Sequence, residues 1–292
     1  MTPIRDLIRH GEELLAAHGV PNARRNAEWI LCDTCKCSIL DLYIGALQPS
    51  EAALELFHER IRRRAGREPL QYILGTTEFM SLPFEVHPGV FVPRPDTEVL
   101  VEAAERWLRR RPPGDPLRLA DLCCGSGVIG VALARRIPDL EVDAVDRNAE
   151  AAGATARNAL LNGVEARTRV HHTDAVVFLE DGAPVRFTAV ACNPPYIETA
   201  VIASLPPEVA RHEPVAALDG GADGLDVYRA LIPRLAARLV PGGLAIFEIG
   251  DAQASAVSGM LGRQRFIDIH VTKDLSGCDR VVAATAPADT AG

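Results

Sequence analysis

The sequence predicts an α/β protein with a doubly wound, mostly parallel sheet of seven strands that ends in one antiparallel edge strand. From residue 117 onward, apolar strands alternate with turns and helices, which is typical of a parallel sheet covered by helices on both faces. Only a short polar loop separates the last two strands, and because parallel neighbours need a long crossover, this pair must be antiparallel. Residues 4 to about 66 have helical periodicity, so a small helical domain precedes the sheet.

The segment before the sheet predicts helices first and a hairpin second. Breaks at HGVPN, KCS and LQPS divide the helical segment into three or four helices, and Pro49-Ser50 predicts a cap for one of them. The stretch from Tyr72, rich in Phe, Val, Thr, Gly and Pro, predicts a short hairpin and a connecting loop, followed by the helix TEVLVEAAERWLRR and the linker RPPGDP. The predicted domains are a helical substrate-recognition domain at 1–70, a β-hairpin linker at 71–95, the α/β domain at 96–285 and a frayed tail at 286–292.

The strands of the α/β domain are apolar runs that end at turns. They read LRLADL, EVDAVD, RVHHTD, FTAVAC, GLAIFEIG, RFIDIHVT and DRVVAAT. Helices with the sequences VIGVALARRI, NAEAAGATARNALLNG and LDVYRALIPRLAARL follow the first, second and fourth strands. This alternation predicts crossover connections and therefore parallel strands.

Composition and charge exclude several classes of protein. The chain has 292 residues with a net charge of -8, and the charge gives no reason to expect stable nucleic-acid binding. It contains no apolar run of about 18 residues, so no membrane helix is predicted, and the N-terminus lacks the apolar core of a signal peptide. We therefore expect a cytoplasmic protein. One basic run, Arg60 to Arg67, is interpreted as a solvated helix end, with a docking patch for a partner as the alternative.

The seven cysteines are expected to be reduced structural thiols. Cys32, Cys35 and Cys37 lie close together, but no second Cys or His pair follows them at zinc-site spacing. We therefore expect no metal site.

A glycine-rich turn after the first strand predicts a site for an adenosine-containing cofactor. Gly125, Gly127 and Gly130 spell G-x-G-x-x-G, and Asp146 ends the second strand about 20 residues later, where an acid can bind ribose hydroxyls. The same pattern serves nicotinamide enzymes and S-adenosylmethionine (SAM) enzymes, so it does not identify the cofactor. Asp174, after the third strand, either reaches the adenine amino group or caps the next helical turn.

The fourth strand ends in Asn-Pro-Pro-Tyr, which predicts a site for a planar nitrogen. Such a nitrogen is a poor nucleophile because its lone pair is delocalised, so it must be held close to the carbon that it attacks. The side-chain oxygen of Asn193 and the carbonyl of Pro194 can accept its two N–H groups, and Pro194 and Pro195 fix the backbone. Tyr196 can stack on the flat substrate group. This arrangement suits methyl transfer and has no use in a dehydrogenase.

The chain resembles the release factor glutamine methyltransferases, the HemK/PrmC family, over almost its whole length. EPLQYILGTTEF, VPRPDTEVLVE, DLCCGSG, NPPYI, HEPVAALDGGADGLDVYR and IFEIG match the family pattern in order. The resemblance implies a helical N-terminal domain, a hairpin linker and a Rossmann-like class I SAM-dependent methyltransferase domain. It implies methylation of the glutamine amide in the Gly-Gly-Gln loop of a class-1 peptide chain release factor. The alternatives are an adenine-N6 nucleic-acid methyltransferase, a paralogue acting on another amide or a small molecule, and a non-catalytic SAM-binding protein.

The resemblance also assigns residues. Those implied for the cofactor and its approach are Arg94, Thr97, Asp121, Cys123, Gly125, Gly127, Asp146, Arg147, Asp174, Ala175 and Asn193. Those implied for the substrate amide are Asn193, Pro194, Pro195 and Tyr196. The chain departs from the family pattern at Cys123 and Cys124, which replace a Gly and a Thr, and at Ala175, where the family often has a bulky aromatic residue. Cysteine is small, so we expect cofactor binding to survive these changes.

Overall fold

The computed structural model describes residues 3–44, 48–112, 116–181 and 185–288. The chain divides into two compact units. A helical unit comprises Met1–Thr76 and Pro206–His212, and a sheet unit comprises Thr77–Leu205 and Glu213–Gly292. The predicted linker RPPGDP and the predicted frayed tail fall partly outside the described residues.

The helical unit is built around one apolar core. Its helices are α1 (Ile4–Ala17), α2 (Ala23–Cys35), α3 (Ile39–Ile44), α4 (Glu51–Ala65) and α5 (Leu70–Leu74), with α10 (Pro207–His212) from later in the chain. Leu15, Ile30 and Phe57 are fully buried in this core. The predicted cap is present, because the Ser50 hydroxyl accepts a hydrogen bond from the Ala53 N–H at 3.2 Å.

Helix α5 differs from the expectation for this stretch. The sequence placed the start of the hairpin segment at Tyr72, but the helix continues to Leu74, and Gly75 ends it with a φ of 76°. The hairpin itself consists of β1 (Thr76–Phe79) and β2 (Leu82–Glu85). The aromatic residues of this stretch suggested that the hairpin begins at Tyr72, but its first strand begins only after Gly75.

The basic run is largely neutralised within the helical unit. Arg64 is 4% exposed, and its guanidinium donates to Glu208 of α10 at 2.8 Å. Arg67 donates to both carboxylate oxygens of Glu208, at 2.8 and 2.6 Å. The interpretation as a solvated helix end is therefore wrong for these two residues, because Arg64 is buried and both guanidinium groups form ion pairs with Glu208. Arg62 is exposed and remains available to a partner.

The remaining elements form the sheet unit. The strands are β3 (Leu117–Leu122), β4 (Leu140–Asp146), β5 (Thr168–His172), β6 (Phe187–Cys192), β7 (Leu239–Glu248), β8 (Ile267–Lys273) and β9 (Asp279–Thr285). The helices are α6 (Thr97–Leu108), α7 (Val128–Arg136), α8 (Ala149–Leu161), α9 (Ala175–Glu180), α11 (Asp226–Arg238) and α12 (Ala254–Arg263).

The seven strands form one sheet in the order β5-β4-β3-β6-β7-β9-β8. The pairs from β5 to β7 are parallel, and β9 is antiparallel to both β7 and β8. The predicted fold class is confirmed, and the reversed strand at this edge is β9, which lies between β7 and β8. The order of the strands reverses between β3 and β6, which is where open α/β sheets bind their ligands.

Helices cover both faces of the sheet. Leu100 of α6 and Val131 of α7 pack on one face, whereas Tyr228 of α11 and Val257 of α12 pack on the other. The sequence analysis missed α12, because its Ser and Gly residues have weak helix propensity. Burial of its apolar residues against the sheet stabilises the helix in spite of this weak propensity.

None of the helices in the described part of the chain is long and apolar enough to cross a membrane. All seven cysteines are free thiols. Within the described residues, no group of three or more His, Cys, Asp or Glu side chains is arranged to hold a metal ion.

Candidate active site

A cavity of about 300 Å³ lies in the sheet unit, beside the carboxyl ends of β3, β4, β5 and β6. Its walls come from the segments that follow these four strands, from the N-terminus of α6 and from the segment before α6. Eleven of the residues predicted from the sequence line this cavity: Thr97, Cys123, Gly125, Asp146, Arg147, Asp174, Ala175, Asn193, Pro194, Pro195 and Tyr196. The fold therefore brings the glycine-rich turn and the Asn-Pro-Pro-Tyr segment into one site.

Two predicted residues lie behind the cavity wall. Asp121 is fully buried, and its carboxylate accepts a hydrogen bond from the Gly130 N–H at 2.9 Å. Burial raises the pKa of Asp121 to about 7. Gly127 precedes α7 with a φ of 82°, and a Cβ there would lie 2.8 Å from the Thr155 side chain. Both residues therefore support the glycine-rich turn without lining the cavity.

Arg94 is also absent from the cavity wall. Its guanidinium forms an ion pair with the buried carboxylate of Glu213 and lies 4.9 Å from the centre of the Phe91 ring. Glu213 also accepts a hydrogen bond from the Val92 N–H at 3.3 Å. Arg94 thus fixes the segment before α6, and Phe91 itself lines the cavity.

The turn after β3 presents its backbone to the cavity. Cys123 and Gly125 have left-handed φ values of 57° and 58°. Glycine adopts this conformation without steric cost, whereas the Cβ of any other residue makes it less favourable. Cys123 is therefore more strained than a glycine at this position would be. A Cβ on Gly125 would meet nothing within 4 Å, so the space over this residue is open to a ligand.

Asp146 is held rigidly beside this turn. One oxygen accepts a hydrogen bond from the Gly125 N–H at 2.9 Å, and the other accepts one from the Asn148 N–H at 2.8 Å. Burial raises the pKa of Asp146, and these two N–H groups together with Arg147 counteract the shift. A carboxylate has about four acceptor sites, so both oxygens can still accept hydrogen bonds from ligand hydroxyls.

Asn193 follows β6 directly and contacts α6. Its side-chain Nδ2 donates to the Thr97 hydroxyl at 3.2 Å. The same amide lines the cavity, and its Oδ1 is therefore the atom left for a ligand donor.

Tyr196 is fixed at both its side chain and its backbone. The phenol donates to Glu248 Oε1 at 3.2 Å, and the Tyr196 carbonyl accepts a hydrogen bond from the Gln253 side chain at 2.9 Å. Burial raises the pKa of Tyr196, and the charge of Glu248 adds to the shift. The phenol is therefore neutral at physiological pH.

Close approach of a glycine loop supports the Tyr196 backbone. A Cβ on Gly220 would lie 2.8 Å from the Tyr196 Cα, and one on Gly224 would lie 2.3 Å from the Tyr196 carbonyl oxygen. Gly224 also has a φ of 71°. Gly220 and Gly224 therefore allow the run LDGGADGLD to pack directly on the Asn-Pro-Pro-Tyr segment.

Asp174 satisfies one of its two proposed roles. Its carboxylate accepts a hydrogen bond from the Val176 N–H at 2.8 Å and so caps α9, and the residue also lines the cavity. The sequence analysis missed Asn148 and Val176, which share the wall with Ala175. A side chain that directly follows a strand or cap is the signal that would have found Asn148 and Val176.

The lining residues fit an adenosine cofactor. The site combines a rigid carboxylate at Asp146, an open backbone turn at Gly125 and apolar side chains that include Val128, Val145 and Ile129. The carboxylate suits ribose hydroxyls, and the apolar wall suits a flat base.

Two family models match the chain. The PrmC N-terminal domain matches residues 6–75, and the methyltransferase small domain matches residues 82–205. A release factor glutamine methyltransferase of Geobacter sulfurreducens is 43% identical over 282 residues, which are 96% of this chain and 95% of the relative. A release factor glutamine methyltransferase of Moorella thermoacetica is 40% identical over 287 residues, which are 96% of this chain and 98% of the relative.

A solved structure matches most of the chain in fold. A 16S rRNA N2 G1207 methyltransferase of T. thermophilus, in complex with AdoMet and guanosine, superposes with a TM-score of 0.51 at 19% identity, over 72% of this chain and 49% of that one. At this identity the similarity concerns the fold alone.

Proposed function

Because this chain belongs to the release factor glutamine methyltransferase family, we propose that it methylates the side-chain amide nitrogen of a glutamine, using SAM. We further propose that this glutamine lies in the Gly-Gly-Gln loop of a class-1 peptide chain release factor. The observation that carries the proposal is the position of Asn193, whose Nδ2 is engaged by Thr97 so that Oδ1 is left as an acceptor in the cavity.

In the proposed site, Asp146 holds the ribose hydroxyls of the cofactor, and the backbone turn at Gly125 allows its close approach. When bound, SAM supplies an electrophilic methyl group on a positively charged sulfur. Asn193 and Pro194 line the same cavity, so acceptors for the substrate lie beside the cofactor residues.

The protein contributes mainly by positioning. Asn193 Oδ1 and the Pro194 carbonyl accept the two N–H groups of the substrate amide, and Tyr196 stacks on its plane. This orientation aims the nitrogen lone pair and offsets its poor nucleophilicity. Transfer would form the N–CH3 bond as the S–CH3 bond of SAM breaks, with S-adenosylhomocysteine as the leaving group. The amide nitrogen becomes acidic only as it is alkylated and would then lose its proton to solvent, so no general base is needed. The phenol of Tyr196 is neutral, which is consistent with its stacking on the substrate amide and not with a role as a base.

We propose that the helical unit and the hairpin hold the protein substrate while the sheet unit performs the chemistry. The support is the separate helical unit and the exposed Arg62 within it. A protein substrate presents one glutamine to the site and needs a second surface for recognition, which the small cavity does not provide.

Methyl transfer from labelled SAM to three acceptors tests the proposed function. The acceptors are a class-1 release factor, its variant with the Gly-Gly-Gln glutamine changed to alanine, and an adenine-containing DNA duplex. We expect label in the intact factor alone. Label in the duplex, or equal label in the alanine variant, would refute glutamine specificity, and the absence of label from the intact factor would refute the proposed substrate.

A further inference from the structure

Two segments of the sheet unit connect the cofactor side of the cavity with its substrate side. The cofactor side begins at the end of β4 and includes Asp146, and the substrate side follows β6 and includes Asn193. Strand β3 lies between β4 and β6 in the sheet, so the two sides do not adjoin directly. The connecting segments are the first segment (residues 89–97) and the second segment (residues 213–218). Methyl transfer requires that the separation of the two sides is held correctly.

The first segment is attached to both sides of the cavity. At the cofactor side, the Asn148 side-chain amide donates a hydrogen bond to the Gly89 carbonyl at 2.8 Å. At the substrate side, the Asn193 amide donates to the Thr97 hydroxyl at 3.2 Å. Phe91 lies between these two contacts along the chain and lines the cavity. The position of this segment therefore affects both the cavity wall and the Asn193 amide.

The second segment is attached to the same two sides. At the cofactor side, the Arg147 guanidinium donates to the Ala216 carbonyl at 3.1 Å. At the substrate side, the N–H of Ile197, which directly follows Tyr196, donates to the Leu218 carbonyl at 2.9 Å. Ala216 and Leu218 both line the cavity. The two segments thus connect the ends of the same two strands independently of each other.

Glu213 joins the two segments. It is the first residue of the second segment, and its carboxylate accepts a hydrogen bond from the Val92 N–H of the first segment at 3.3 Å. The same carboxylate forms an ion pair with Arg94, and only 1% of the Glu213 side chain is exposed. The Arg94 guanidinium in turn lies 4.9 Å from the centre of the Phe91 ring. One carboxylate therefore holds the backbone of the first segment and, through Arg94, an aromatic ring of the cavity wall.

Stability alone does not account for a carboxylate at this position. Burying a carboxylate is costly, and well-packed apolar residues often give as much stability as a buried ion pair. An ion pair with hydrogen bonds adds directionality, because a guanidinium and a carboxylate fix the geometry of the groups that they join. Glu213 supplies this directionality between the two segments that connect the cofactor side with the substrate side.

We propose that Glu213 is a positioning residue for methyl transfer. It holds the first segment against the second through Arg94 and the Val92 N–H, and the joined segments fix the separation between the cofactor side and the Asn193 amide. Glu213 itself lies outside the cavity wall, so it acts without touching either reactant. This inference rests on the proposed function, since the separation affects a rate only when a methyl donor and an amide occupy the cavity together.

The test compares Glu213→Gln with the wild type in methylation of a release factor. Glutamine keeps the shape but removes the charge that holds Arg94, so we expect kcat to fall about 10- to 30-fold. SAM affinity should stay within about threefold, because Asp146 is held by the Gly125 and Asn148 N–H groups. Titration calorimetry gives this affinity and the concentration of folded sites, by which kcat is divided. Wild-type kcat, or a loss of SAM affinity as large as the loss of kcat, would overturn the proposal.

Glu105→Gln is the matched control. It makes the same substitution in another ion pair of the sheet unit, in which Glu105 of α6 accepts a hydrogen bond from Arg136 of α7 at 2.7 Å. The Glu105 side chain is 14% exposed, and neither residue lines the cavity. We expect kcat within about twofold of the wild type. Equal losses of kcat in Glu105→Gln and Glu213→Gln would contradict a specific role for Glu213.

A pair of variants at Arg94 covers the possibility that Glu213→Gln does not fold. The Arg94 side chain is 31% exposed, so its replacement disturbs the interior less. Arg94→Lys can still pair with Glu213, whereas Arg94→Met cannot. We expect the lysine variant to stay within about threefold of the wild-type kcat and the methionine variant to lose at least tenfold. Equal kcat values in the two variants would contradict an action of Glu213 through Arg94.

Hydrogen exchange separates this inference from the proposed substrate. The Val92 N–H is bonded to Glu213, so its amide should exchange at least fivefold faster in Glu213→Gln than in the wild type or in Glu105→Gln. This readout needs no substrate. Failure of the wild type to methylate a release factor, with faster Val92 exchange in Glu213→Gln, would refute the proposed function alone. Unchanged Val92 exchange would refute the role of Glu213.

Discussion

The two units of the chain use partly or fully buried carboxylates in opposite ways. In the helical unit, burial opposes the ionisation of Glu208, but hydrogen bonds from Arg67 and Arg64 outweigh it and lower the pKa of Glu208 to about 2. In the sheet unit, burial prevails and raises the pKa of both Asp146 and Glu248. Glu208 has two arginine partners, whereas Asp146 accepts hydrogen bonds from backbone N–H groups and Glu248 accepts one from the Tyr196 hydroxyl.

The difference indicates what each carboxylate is for. A carboxylate whose acceptor sites are filled by arginines stabilises the fold and has nothing left for a ligand. A carboxylate that is buried with few cations lowers stability, and such groups concentrate at functional sites. Variants of the helical unit should therefore change stability, and variants of the cavity should change binding or rate.

The largest expected effect concerns Asn193. Asn193→Ala removes the acceptor for the substrate amide, and we expect the methylation rate to fall by several orders of magnitude, because positioning is the main catalytic contribution available. SAM affinity and the thermal midpoint should be nearly unchanged. Rapid-quench kinetics and calorimetry on the same preparation measure the two properties.

Asn193→Asp is the matched variant. It retains an acceptor and the shape but adds a charge that stabilises the bound ground state as well as the transition state, so we expect impaired but measurable activity. Wild-type rates in Asn193→Ala would show that the amide does not position the substrate.

The largest stability effect is expected at Glu208. Glu208→Gln leaves the buried Arg64 guanidinium without its charged partner, so the helical unit should lose about 2–4 kcal/mol of unfolding free energy. Urea unfolding in a Trp107→Phe background measures this loss, because the remaining tryptophan, Trp29, belongs to the helical unit.

The control and the pH dependence sharpen this test. Glu59 pairs with Arg63 at 3.8 Å with 52% of its side chain exposed, so Glu59→Gln should cost less than about 0.5 kcal/mol. Because the folded-state pKa of Glu208 is depressed, its contribution is present above pH 4.5 and is lost as the pH falls toward 2. Equal losses in the two variants would contradict the account of Glu208.

Asp146 should affect cofactor binding. Asp146→Ala removes a hydrogen-bonded carboxylate from the cavity, and we expect SAM affinity to fall by roughly 1.5–3 kcal/mol. Titration calorimetry with SAM, S-adenosylhomocysteine and NAD measures it, with no NAD binding expected in the wild type. Tight NAD binding without a response to SAM would refute the cofactor assignment.

The smallest expected effect concerns Arg62, the exposed arginine of the basic run. Arg62→Glu should slow association with a release factor about two- to fivefold at low salt, with less effect at high salt. Arg9→Glu makes the same charge change at another exposed position of the helical unit. Identical effects of the two variants would indicate a general charge effect and no docking role for Arg62.

Much of the fold could be predicted because its signals are local. The apolar strands, the glycine turn after β3 and the Ser50 cap each depend on neighbouring residues. Helix α12 was missed because tertiary burial stabilises it in spite of weak propensity. The pairing of Arg64 with Glu208 could not be predicted, since nothing in the local sequence identifies a partner 144 residues away.

The candidate site could also be predicted in part from the sequence. The residues that follow strand ends, such as Asn193 and Asp146, line the cavity as expected. Arg94 does not line the cavity, because its guanidinium pairs with Glu213. This partner is 119 residues away in sequence, so the pairing could not be predicted. Glu248 lay within a quoted motif and was interpreted only as part of a strand. A carboxylate at the end of an otherwise apolar strand is the signal that would have singled it out.

Fragmentation mass spectrometry of a class-1 release factor after reaction with this protein and SAM tests the central claim most directly. The account predicts one added methyl group on the glutamine side chain of the Gly-Gly-Gln peptide, formed by the wild type and essentially absent with Asn193→Ala. A methyl group on any other residue, or equal modification by the Asn193→Ala variant, would contradict it.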